Sequence, residues 1–267
     1  AFVGLMLALL VGLFLLPMLS VPVRSVVRLE AARGERGPVS YGLTADYYRE
    51  LMINRRSSLF YVPPILAARN SLLYALATVL LSLSLGLPAA VALARRSSLA
   101  QAMDTFLLLP LGTSAVTLGL GFLLAFGRAV TLPWLVPLAH TLMALPLVVR
   151  TLQPALASIP PRLREAALTL GATPWRAWWA VDWPILWRAV LAAAALAFTV
   201  SLGEFGATLL LARPEYPTLP VAIYRFLSQP GGLNYGQAMA MTTVLMALTT
   251  GGILLLERLR PPTGRTL

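Results

Sequence analysis

Apolar residues in this chain gather in long runs instead of alternating with polar ones. No charged residue occurs from Phe2 to Val21, and that length suits the roughly 20 helical residues needed to cross a hydrocarbon core. Five further runs follow, separated by Arg or acids. They are Asn70 to Ala94, with Asn70 as the expected N-cap; Thr105 to Phe126; Val130 to Val149, with Pro133, Pro137 and Pro146; about Ala189 to Ala212, interrupted by Glu204; and about Tyr235 to Leu256, closed by "ERLR". The first run lacks a basic leading segment and is too long for the apolar part of a signal peptide, so it reads as a span. The pattern predicts an all-α, polytopic membrane protein with about six transmembrane helices.

Two polar interruptions are long. In residues 22–69 the stretch "TADYYRELM" suits a short amphipathic helix at the outer membrane face. Between the fourth and fifth runs, from Arg150 to Trp187, local signals predict two short helices. Pro160 and Pro161 begin the first, which runs to Leu170; Gly171 makes a tight turn; Thr173 caps the second, with Pro174 in its first position. Trp175, Trp178, Trp179, Trp183 and Trp187 crowd this second helix and account for five of the six Trp. Indoles favour the membrane interface, so the second helix is expected along the inner leaflet.

Composition agrees with a bilayer protein: 58% of the 267 residues are hydrophobic and 12% charged. All 21 basic residues are Arg and the net charge is +11, with the charges between apolar runs as in loops that face anionic lipid, not in patches on a soluble fold as in nucleic-acid binders. The absence of Lys excludes a Walker A loop, so any ATP hydrolysis by that route belongs to another subunit. The absence of Cys excludes disulfides and thiolate chemistry. With the amino terminus in the cytosol, the inner loops carry Arg95, Arg96, Arg150, Arg162, Arg164, Arg176 and Arg188 and the tail Arg258, Arg260 and Arg265. The short outer loops carry Arg128, Arg213 and Arg225. The first loop opposes this with eight Arg from Arg24 to Arg69, partly offset by Glu30, Glu35, Asp46 and Glu50.

A water-exposed helix-turn-helix between two spans is shaped for docking. "EAALTLGATPWRAWWAVDWP" resembles the EAA loop of ATP-binding-cassette importer permeases: Glu165, Ala166, Ala167, Gly171 and Pro184 match its spacing, Val181 replaces Ile, and Trp183 replaces Leu. The resemblance runs from "RNSLLYALATVLLSLSLGLPAAVALAR" onward, about two thirds of the chain. It implies the type I importer permease fold, with a first transmembrane helix in 1–23, an outer loop with an interfacial helix in 24–69, a core permease domain in 70–260 with the coupling loop at 151–187, and a cytosolic tail in 261–267. The implied partners are an ATP-binding subunit dimer, an extracytoplasmic solute-binding protein, membrane lipid and a second permease half, in a homodimer, a heterodimer or a fusion of which this chain is the carboxy-terminal half. No cofactor is expected in this chain, ATP and Mg residing on the partner, and the implied location is the bacterial or archaeal cytoplasmic (inner) membrane. The plainer alternative is that Glu165 caps a local helix and Gly171 only turns the chain.

Glu204, in "SLGEFGATLLL", is the acid inside the fifth run, flanked by Gly203 and Gly206. A carboxylate in a membrane needs water, a partner or a proton, so either a pathway role or a structural hydrogen bond accounts for it. The stretch is similar to one in permeases for ferric iron, thiamine, sulfate and molybdate, and "RPEYPTLPVAIYRFL" most resembles ferric-iron and thiamine permeases, with a sulfate or molybdate type as the alternative cargo class. In the third run Thr113, Ser114 and Thr117, among Pro110, Gly112, Gly119 and Gly121, are candidates for lining the path or for tight helix packing. His140 is the single His and reads as a satisfied core residue; no metal site is expected. The rival class is an intramembrane enzyme, which requires Glu204, Asp104 and His140 to converge in one cavity. A non-transporting scaffold is a third option.

Overall fold

A computed structural model describes residues 2–28, 42–54, 61–94, 97–127 and 133–259. Arg95, Arg96, Arg128, Glu30, Glu35, Arg260, Arg265, the start of the fourth run and the 261–267 tail lie outside the described residues. The described chain forms α1 (Phe2–Val26), α2 (Asp46–Glu50), α3 (Pro64–Leu93), α4 (Ser98–Leu108), α5 (Ala115–Phe126), α6 (Leu135–Ala157), α7 (Pro161–Thr169), α8 (Pro174–Ala177), α9 (Trp183–Gly203), α10 (Gly206–Leu211), α11 (Leu219–Leu227) and α12 (Gly232–Arg258). To the expected all-α content it adds one short antiparallel pair, β1 (Val27–Arg28) with β2 (Gly42–Leu43).

Among the described residues, five helical stretches are long and apolar enough to cross a membrane, and a sixth crossing exists if one bent pair counts as a single span. That pair corrects the third expected span. Instead of one helix over 105–126, Ala100–Gly112 and Ala115–Phe126 meet at 103°. Pro110 withholds a backbone donor, the chain tightens through Leu109–Gly112, and Thr113 and Ser114 are extended.

Other boundaries move as well. Asn70 is not an N-cap: α3 begins at Pro64, and Asn70 sits inside the helix with its amide donating to the Pro217 carbonyl at 3.2 Å. The fourth span does not end at Val149, because α6 continues through Pro154 to Ala157. The fifth does not begin near Ala189, because Pro174 to Gly203 is one helical stretch of 30 residues. The Trp-rich helix expected along the leaflet is therefore the foot of that span, joined through a wide turn at Trp178–Asp182. The same span ends at Gly203 instead of continuing to Ala212.

The chain divides into two compact units. In the unit Ser71–Ala212 with Thr249–Leu267, α6 and α9 form the core: Val148, Leu152 and Leu156 pack with Leu186, Val190, Ala193 and Ala197, joined by Ala90 of α3. Small residues at the seam allow close approach, which replaces the hydrophobic driving force that helices in lipid lack. Gly86 shows how close: an added Cβ there would stand 2.6 Å from Val148 Cγ1. In the unit Ala1–Asn70 with Arg213–Leu248, Tyr47 and Leu51 of the α2 region pack with Ala67, Leu219, Ala222, Ala240 and Met241. The apolar side of the expected interfacial helix is thus spent on protein contact.

Candidate functional site

The exposed knob is built by local chain chemistry. Pro161 opens α7, where its missing N–H and fixed φ cost nothing. At the far end Gly171 takes φ +83°. Its N–H bonds to the Leu168 carbonyl at 2.9 Å, and the Ala172 N–H reaches back to Ala167 at 3.0 Å. Paired bonds of this kind close a helix on a left-handed residue, the conformation glycine adopts most readily. Thr173 is extended, and its hydroxyl accepts the Arg176 N–H at 3.4 Å to cap α8, with Pro174 first.

Glu165, Ala166 and Gly171 lie exposed on this knob, Ala167 is half-buried, and Leu170 at the turn is 88% exposed. Val181 and Pro184 stand elsewhere. Val181 packs on the α6/α9 core and Pro184 is exposed in the first turn of α9, so the EAA-type spacing splits between a protruding head and the foot of the span. Trp175, Trp179, Trp183 and Trp187 follow one another along the helix in edge-to-face and tilted contacts, with ring centroids 5.7, 5.1 and 5.5 Å apart in order. Four rungs at about 1.5 Å per residue outreach the thin polar zone of a single leaflet, and Trp175, at the knob end, is 69% exposed.

At the other end of the Pro174–Gly203 stretch, about 45 Å of helix away, lies a buried polar cluster. Glu204 ends α9 in an extended conformation and is 5% exposed. One carboxylate oxygen accepts the Ala207 N–H at 2.8 Å; the other accepts the Thr208 N–H at 2.9 Å and the Thr208 hydroxyl at 2.5 Å. The acid thus caps α10, where amide groups and helix dipole favour negative charge. His140, fully buried on α6, places Nε2 3.2 Å from Glu204 and 2.7 Å from Thr208 Oγ1, and Nδ1 2.8 Å from Ser201 Oγ. The Ser201 hydroxyl in turn donates to Thr78 at 3.2 Å.

Gly206 packs against α5: an added Cβ would meet Ala115 and Val116 at 3.1 Å. Gly119 approaches from the other side, where a Cβ would lie 2.8 Å from the Ala207 backbone. Gly203 faces open space, and Thr113, Ser114 and Thr117 are exposed beside the bend. Asp104 does not join His140 and Glu204. It accepts from Arg150 at 2.9 Å, and Arg150 lies ten residues beyond His140 on α6, about 15 Å of helix rise. The three-residue convergence needed by the enzyme alternative is absent.

Sequence reasoning did not find Ser201, Thr78 or Thr208 as partners of His140 and Glu204, nor the pairing of Arg164 with Asp182. Thr208 lies one helical turn past Glu204, a local signal. His140 and Ser201 are 61 positions apart, and a contact at that separation leaves no mark on local spacing.

Residues 61–261 match the family described as "Binding-protein-dependent transport system inner membrane component". The chain is 32% identical over 201 residues, covering 68% of itself and 88% of the relative, to the molybdenum transport system permease protein ModB of Haemophilus influenzae. It is 35% identical over 162 residues to a putative 2-aminoethylphosphonate transport system permease protein of Salmonella typhimurium, covering 59% of this chain and 60% of that one. It is 32% identical over 145 residues to a probable sulfate transport system permease protein of Anthoceros angustus, covering 53% and 48%. Among solved structures, a bacterial ABC transporter involved in the import of the acidic polysaccharide alginate aligns with TM-score 0.69 at 16% identity, over 97% of this chain and 96% of its own.

Proposed function

The chain belongs to the family of binding-protein-dependent transport system inner membrane components, multi-pass permease subunits of ATP-binding-cassette importers, and from that premise we propose how it works and what it carries. The knob formed by α7, Gly171 and α8 seats in a separate ATPase subunit, with Glu165, Ala166 and Ala167 toward the partner. Nucleotide binding draws two such subunits together, and the spans shift between outward-open and inward-open states. A solute-binding protein delivers cargo from outside, and a second permease half completes the pathway. Thr113, Ser114 and Thr117, beside the bend at α5, line the route together with Gly203; Glu204 and Gly206 hold the adjoining helices in place.

The observation that carries this reading is the exposed turn at Gly171 with Glu165 and Ala166 on its surface, rooted in a span whose core is shared with α6. For cargo we favour a small tetrahedral oxyanion or phosphonate, because the relatives described above are named for molybdenum, sulfate and 2-aminoethylphosphonate transport. The iron or thiamine alternative rests on "RPEYPTLPVAIYRFL" alone, and none of those three relatives bears such a name. The test is uptake into proteoliposomes holding this chain with its second permease half, ATPase and solute-binding protein, offered labelled molybdate, sulfate, 2-aminoethylphosphonate, thiamine or ferric citrate. ATP-dependent accumulation of an oxyanion or of the phosphonate is the expected result. Accumulation of thiamine or iron alone overturns the cargo assignment, and no ATP-dependent uptake of any solute overturns the transport reading.

A further inference from the structure

The helix that would receive force from the ATPase buries none of its own residues: α7 has no buried side chain from Pro161 to Thr169. Apolar packing from α7 itself is therefore slight, with Ala167 half-buried. A polar link fastens it to the membrane domain. Arg164, directly before Glu165, sends its Nε to Asp182 Oδ1 at 2.7 Å. The two ends of this link differ in surroundings. The Arg164 side chain is 46% exposed, whereas that of Asp182 is 3% exposed. Asp182 closes the wide turn Trp178–Asp182, whose residues Trp178 and Val181, with the following Trp183, pack on the α6/α9 core. Wide turns of this kind are uncommon, and many occur at functional positions. One end of the link is thus rooted in the core of the unit, and the other holds the exposed helix.

We propose that Arg164 is a positioning residue for coupling: its bond to Asp182 makes the exposed helix and the foot of the Pro174–Gly203 span move as one body, so that displacement of the knob reaches the pathway undiminished. The proposal rests on the importer reading above and adds to it the element that transmits the motion. The Arg164 end of the pair is half-exposed, but its loss alone leaves the buried Asp182 carboxylate without that donor, so the double variant with Asp182→Asn, which removes the stranded charge, is the one expected to stay folded with a loosened knob. Glutamine at this position carries its amide nitrogen at the same number of bonds from the backbone as the arginine Nε. Arg164→Gln therefore keeps the donor and removes the charge.

The experiment measures cargo transported per ATP hydrolysed by the assembled importer in proteoliposomes. Arg164→Ala is expected to lower that ratio by about tenfold, a usual size for coupling between sites. Arg164→Gln recovers most of it, and adding Asp182→Asn to Arg164→Ala costs nothing further. An unchanged ratio in Arg164→Ala overturns the proposal, as do additive losses in the double variant or a failure of Gln to rescue, the last marking Arg164 as a charge read directly by the partner. Independently of transport, spin labels at positions 168 and 196 can be placed uniquely because the chain has no Cys. Their distance distribution broadens in Arg164→Ala, and an unaltered distribution counts against the link. If the unsubstituted complex shows no ATP-dependent uptake, the importer reading fails instead, and the label measurement on the chain alone still decides the link.

Discussion

His140 Nε2 and Glu204 Oε2 stand 3.2 Å apart at a place where the fifth span stops being one helix. The acid is committed to its own chain: it accepts two backbone N–H groups and a hydroxyl from the first turn of α10. A charged side chain inside a membrane protein is costly unless its partners are built in, and here the cap, the imidazole and the Thr208 hydroxyl supply them.

Glu204→Gln replaces an acceptor of three donors by a group that is half donor. One of the amide N–H groups of α10 then faces an NH2, and a buried donor left unmade costs about 1–3 kcal/mol. The variant should unfold at a lower temperature in detergent, with uptake falling in step. Full thermal stability combined with lost uptake would instead make Glu204 part of the pathway.

Gly171 occupies a left-handed conformation with open space where a side chain would go, so the backbone alone sets the penalty. Gly171→Val meets a cost of order 1–3 kcal/mol and should uncouple ATP hydrolysis from transport. Gly171→Asn, a residue that visits this region more readily, should retain most uptake. Equal activity of the two variants would mean that the turn does not matter.

Gly119 and Gly121 lie two positions apart on α5 and should respond oppositely to alanine. At Gly119 the new methyl runs into the Ala207 backbone, whereas at Gly121 it meets nothing within 4 Å. Overpacking of that kind costs about 1–3 kcal/mol, so calorimetry should show Gly119→Ala destabilised and Gly121→Ala close to the parent.

The bent pair decides which side of the membrane the knob faces. If α4 and α5 together cross the bilayer, as the Arg distribution requires with the amino terminus in the cytosol, position 170 faces the cytosol and position 216, one span later, faces outside. A membrane-impermeant maleimide added to intact cells should label Tyr216→Cys and leave Leu170→Cys untouched until the membrane is opened. Labelling of Leu170→Cys in intact cells would mean that the pair dips in and returns on the same side.

Much of the knob is legible in the sequence because its signals are local. Pro161, Gly171, Thr173 and Pro174 each act on the backbone within a few residues, and the structure places all four in the expected roles. Boundaries were less legible. Asn70 looked like a cap because Asn suits that position, yet its amide is used by the Pro217 carbonyl, 147 residues away. The Trp run looked like a surface helix because indoles favour interfaces. Three of its members instead continue the ladder into the fifth span.

By itself the sequence determined that the chain crosses a bilayer several times, that these residues hold no Lys for a Walker A loop, and that a Gly-hinged pair of short helices interrupts the apolar runs. Run length, the missing Lys and single-residue backbone preferences are one-dimensional facts. Only the tertiary structure decided that the third run bends by 103°, that Glu204 is a cap held beside His140, and that Arg164 ties the knob to Asp182. The physical reason is that hydropathy scores burial without saying against what: lipid, a facing helix and a neighbouring side chain all satisfy an apolar residue equally. A polar group, by contrast, must find one particular partner, and the chain leaves that choice to the packing.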